Sequence, residues 1–114
     1  MKNLNQFPNK IAEAETKILG LDRQVAIHKE NISFMDGEIE LQIASNKELK
    51  NEQQRKTKRL ELRQQPDYLQ AKAELTEATE KRDKAQIDLN LIRNQFSVAK
   101  LEMRHQIASL EVVA

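Results

Sequence analysis

Seven basic side chains fall between Ser45 and Gln64: Lys47, Lys50, Arg55, Lys56, Lys58, Arg59 and Arg63, against Glu48, Glu52 and Glu61. A cluster of that kind can grip phosphate through charge, with sequence-independent, salt-sensitive affinity. The plainer reading is a solvated helix face, partly neutralised by Glu74, Glu77, Glu80 and Asp83 further along the chain. The nearest aromatic is Tyr68, so little is available to stack on bases. Nucleic-acid binding through a basic tip at 47–63 therefore stands as the alternative reading. His28 and His105 are the only histidines, there is no Cys, and neither His has a ligand partner at metal spacing. The two glycines, Gly20 and Gly37, are too far apart to form a phosphate-cradling loop. Carboxylates are plentiful, but none falls on the apolar seam where a shielded pocket could tune it for acid–base work. The sequence predicts no catalytic set, no metal and no cofactor, and hence a protein that is not an enzyme.

The elements that carry these residues are helices. Ala, Glu, Lys, Leu and Arg make up 56 of 114 residues, the share seen in long helices and coiled coils. With two Gly and two Pro there is little turn punctuation. Stepping by seven from Leu4 gives an a row of Leu4, Ile11, Ile18, Val25, Ile32 and Ile39, followed by Asn46, Gln53 and Leu60. The d row is Phe7, Ala14, Leu21, His28 and Met35, followed by Gln42, Leu49, Lys56 and Arg63. In the second half the a row is Tyr68, Leu75, Arg82, Leu89, Phe96, Met103 and Leu110. Its d row is Ala71, Ala78, Ala85, Ile92, Ala99, Gln106 and Val113. The phase runs through Gly20 and Gly37 without a slip. Pro8 suits a helix first turn, and Pro66 both ends one helix and can open another. These patterns predict an all-α fold: one domain over 1–114, a long antiparallel two-helix coiled-coil hairpin. Helix 1 is expected over about 8–64, the turn at 65–66 and helix 2 over about 67–112.

Reflecting the chain about Gln65-Pro66 matches every a residue with a d residue. Ile39 is then expected to face Ile92, Met35 to face Phe96, Leu21 to face Leu110, and His28 to face Met103. The same register sets Arg59 near Glu74, Glu52 near Lys81 and Asp36 near Arg93. It leaves Leu4, Phe7, Ile11 and Ala14 beyond the reach of helix 2. It also leaves outer apolar residues with nothing to bury them: Ile27, Phe34 and Leu41 on helix 1, and Leu91, Val98 and Leu101 on helix 2. The predicted interface is therefore Leu4, Phe7, Ile11, Ile27, Phe34, Leu41, Leu91, Val98 and Leu101. Dimerisation into a four-helix arrangement is the expected way to cover it.

The expected function is non-enzymatic: a coiled-coil adaptor, scaffold or small chaperone-like factor that binds a protein partner through helical surfaces. The architecture resembles the helical-hairpin factors of bacterial export systems and other hairpin adaptors, by shape and not by motif. Net charge is only +1, which favours neither nucleic acid nor a membrane surface. No apolar run reaches the length of a membrane span, and the residues MKNLNQFPNK have no signal-peptide apolar region. A cytoplasmic location is the expectation.

Overall fold

The protein, seen here in a computed structural model that describes residues 4–113, is an all-α helical hairpin. Its helices are α1 (Gln6–Ser45), α2 (Glu52–Leu62) and α3 (Pro66–Val113). They pack as two compact units, Leu21–Glu80 and Met1–Gly20 with Lys81–Ala114. α1 and α3 contribute to both units, whereas α2 belongs to the first.

The heptad rows meet their expected burial. Every seam position from Leu4, just before α1, to Ile39 is buried or half-buried, and so is every seam position of α3 from Tyr68 to Met103. α1 runs unbroken through Gly20 and Gly37, as the continuous phase predicts. Neither glycine serves a turn: a Cβ at either would meet nothing within 4 Å, and neither has a positive φ.

The turn is not where the prolines suggest. The long helix expected over 8–64 stops at Ser45, and the chain reverses over 46–51. Local polar bonding explains the stop. The Asn46 carboxamide oxygen accepts from the Glu48 backbone N–H at 3.0 Å, and the Asn46 carbonyl accepts from Leu49 N–H at 3.3 Å. Asn51 then caps α2: extended at φ −147° and ψ 171°, it accepts from Gln54 N–H at 2.9 Å. Gln54 reaches back and accepts from Lys50 N–H at 2.6 Å. The Asn51 bond satisfies a donor that the helix start leaves orphaned, and the Gln54 bond ties the preceding residue to the first turn.

The expected turn at Gln65-Pro66 is instead a break without reversal. α2 ends with Arg63 N–H donating to the Arg59 carbonyl at 3.1 Å, and α3 opens with Leu69 N–H donating to the Gln65 carbonyl at 3.1 Å. Pro66 sits at the first position of α3, where its missing N–H costs nothing. Direction follows from the cross-helix pairs. Glu40 meets Arg59, Asp36 meets Arg63 and Tyr68, and His28 lies by Glu74. Partners rise along α2 and α3 as they fall along α1, so both run antiparallel to it.

The same change shifts the register. Phe96 stacks on Phe7, with ring centroids 5.2 Å apart and planes 14° from parallel. The expected partner, Met35, lies four heptads later. Likewise Arg93 meets Glu15 at 3.3 Å in place of Asp36, and His28 lies 3.8 Å from Glu74 in place of facing Met103. Beyond Ile39 the seam itself changes phase. Ile43, off the expected rows, is buried, whereas Leu60, on them, is 54% exposed. Ile39, Ile43 and Tyr68 form the core there, with Ile32, Met35, Leu49 and Leu62 packed against it.

Candidate interaction surface

Six of the nine residues expected at an interface are exposed. In the Leu21–Glu80 unit these are Ile27, Phe34 and Leu41, the last two at 66% and 69%. They recur every seven residues on the face of α1 turned away from its seam. In the other unit they are Leu91, Val98 and Leu101, on the face of α3 away from its own seam. The register correction separates the two sets. They fall in different units and do not form one stripe at shared levels, as the expected register would have had it.

The other three residues are not free. Phe7 is buried against Phe96, while Leu4 and Ile11 are half-buried. The ring stack is flanked by cations: Lys100 Nζ lies 4.4 Å from the Phe96 centroid and Lys10 Nζ lies 6.0 Å from that of Phe7. The seam residues left uncovered are on the other helix from the one expected, late in α3. Leu110 is 70% exposed, Gln106 is exposed, and the neighbouring Ile107 is exposed too. The cause is the turn at 46–51, which leaves α1 shorter than α3. The exposed large apolar residues also include Leu19, Leu60, Leu69 and Ile87.

The basic segment is largely engaged. Arg59 forms a two-point bridge to Glu40, with Nε to Oε1 at 2.6 Å and Nη2 to Oε2 at 3.1 Å. The guanidinium donates to the Glu40 carboxylate, which holds its pKa below the ordinary carboxylate value; the same bond raises that of Arg59. Arg63 Nε donates to Asp36 Oδ1 at 3.2 Å, and Tyr68 Oη donates to the same oxygen at 3.0 Å. Burial first, and then the neighbouring Asp36, push the Tyr68 phenol above its usual pKa. Arg55 lies 3.6 Å from Glu52, and Lys58 lies 3.6 Å from Glu61. Partners of the basic segment thus include Asp36, Glu40, Glu52 and Glu61. Arg55, Lys58 and Arg59 are half-buried. Lys47, Lys50 and Lys56 remain exposed.

Among the described residues no three His, Asp or Glu side chains converge as a metal set would. His28 sits on the seam and His105 is exposed on α3. A groove of about 290 Å³ between α1 and α3 has Ala14, Ala85 and Ile92 in its lining. Lys10, Glu13, Lys17 and Asp88 rim it. No helix among the described residues is long and apolar enough to cross a membrane. Comparison with known family models, with curated proteins and with solved structures returned no match.

Proposed function

We propose that this chain is a non-enzymatic interaction protein: a cytoplasmic adaptor, scaffold or small chaperone-like factor that works by presenting helical surfaces to protein, including further copies of itself. The observation that carries the reading is the exposure of Ile27, Phe34 and Leu41 on α1 and of Leu91, Val98 and Leu101 on α3. All six sit on helices whose inner seams are already filled. Clusters of large exposed apolar side chains mark interfaces more often than they persist in water. Burying a large aliphatic or aromatic side chain is worth ~1.5–3 kcal/mol. Three on one helix face from each of two chains therefore reach the scale of the association cost, ~4–15 kcal/mol. A two-fold dimer is the commonest closed solution.

Sedimentation equilibrium tests this reading, because it gives mass independent of shape. A mass of two chains at micromolar concentration is expected. The triple variant Ile27→Glu, Phe34→Glu, Leu41→Glu should weaken whatever assembly uses α1. A mass of one chain for the wild type would remove self-association from the proposal.

A further inference from the structure

We infer that the outer face of α3 is a second coiled-coil seam and that its occupant is the same face of a second copy, running antiparallel. The inference rests on the proposed reading of the chain as an interaction protein, and supplies the partner and its orientation. On the side of α3 away from α1, positions 87, 91, 94, 98, 101, 105 and 108 follow the alternating spacing of four and three that defines a and d rows. All seven are exposed, and none carries Lys, Arg, Asp or Glu. Ile87, Leu91, Val98 and Leu101 supply the apolar bulk, at 67%, 55%, 53% and 61% exposure. The equivalent rows on α1 are interrupted by Arg23 and Glu30, so α3 has the cleaner seam.

Polar residues on the seam set the orientation. Asn94 and His105 are its only strongly polar members. In an antiparallel pair centred between Val98 and Leu101, Val98 meets Leu101, Leu91 meets Ala108 and Asn94 meets His105. Apolar residues then meet apolar residues throughout. The carboxamide and the imidazole each offer a donor and an acceptor, so the polar layer can satisfy itself. The flanks agree: Asp88 comes beside Ser109, Gln95 beside Glu102, and Ser97 beside Arg104, with no like charges opposed. Sliding one heptad either way sets His105 against Ile87 or Leu101, and one of those slides also opposes Asp88 to Glu102. A parallel pair would bring Asp83 of one chain beside Asp88 of the other, across the seam.

Two measurements on the full chain test the inference. The sequence contains no Cys, so Asn94→Cys chains can be mixed with His105→Cys chains of distinguishable mass and oxidised. The mixed disulfide should predominate over both homodimers. Predominance of the two homodimers would mean a parallel pair and overturn the inference. Sedimentation equilibrium on Leu91→Glu/Val98→Glu, with helicity checked by circular dichroism, should show a fall from two chains to one. If that variant stays dimeric while the Ile27/Phe34/Leu41 triple dissociates, the α3 seam is wrong and the interaction reading survives. A monomeric wild type removes both.

Discussion

Asp36 joins three helices through one carboxylate oxygen. It sits on α1, accepts from Arg63 just past the end of α2, and accepts from Tyr68 in the first turn of α3. Tyr68 is the only tyrosine and there is no Trp, so tyrosinate absorbance reports on this junction alone. Its titration midpoint should lie above the ordinary value of 10.0, because burial and then Asp36 disfavour the phenolate. A raised pKa means the fold binds the phenolic proton more tightly than the unfolded chain does. That stabilisation is full below the unfolded pKa and is lost as pH rises through the folded one. A midpoint at or below 10.0 would show the junction open in solution. Removing the hydroxyl in Tyr68→Phe should cost about 1 kcal/mol in chemical denaturation. Glu40 has the opposite sign. Its lowered pKa gives stability that is present above the unfolded carboxylate pKa and lost as pH falls through the folded value. Glu40→Gln should therefore lower the melting temperature at neutral pH, and the difference should close in acid. The pair is partly exposed and salt should shrink the effect. An equal deficit in acid would point to lost packing and not to charge.

At the scale of elements, polar bonding shapes the reversal: Asn46 follows the end of α1 and Asn51 caps the start of α2. Asn51→Ala removes the side chain that accepts from Gln54 N–H. It should destabilise the chain by about 1 kcal/mol, the usual loss for an N-cap. No change would mean that Gln54 and Lys50 close the turn unaided. α1 also holds unused stability at its glycines. Gly37→Ala adds a methyl where nothing lies within 4 Å, in a backbone that L-residues adopt freely. The helix should gain about 1 kcal/mol from the lower cost of ordering. Thermal denaturation of the single variant at low concentration measures it. A loss in place of a gain would reveal a neighbouring chain in close approach at that face. The capping signal was present in the sequence as Asn51-x-x-Gln54, three residues apart, after the polar run Ser45-Asn46-Lys47. The expected turn rested on Pro66 alone, because proline is a strong helix breaker. Yet a proline in a first turn starts a helix as readily as it ends one, and a break need not reverse the chain.

For the molecule as a whole, the Phe7–Phe96 stack is the most direct marker of register. Phe7→Ala should cost about 3 kcal/mol, the low end for a buried aromatic, since its partner is only half-buried. Cysteines introduced as Phe7→Cys and Phe96→Cys should be joined within one chain by a short bifunctional maleimide, at concentrations too low for association. Crosslinking only between chains would overturn the register. The sequence by itself determined the helical class, the seams from Leu4 to Ile39 and from Tyr68 to Met103, and which side of those two stretches faces inward. Those follow from a seven-residue apolar repeat that any pairing must bury. It also marked the six outer residues that remain exposed, because a residue off the seam of a hairpin has no inner neighbour. What it could not determine is the register. Sliding one helix past the other by whole heptads preserves every match of an a residue with a d residue, so the apolar pattern is degenerate in steps of seven. The displacement from Met35 to Phe7 opposite Phe96 is four such steps, and the pattern holds equally well in both. Only the tertiary structure broke the tie. Capping at 46–51 fixed where the chain reverses, and the Arg59–Glu40, Arg63–Asp36 and Arg93–Glu15 pairs belong to that alignment.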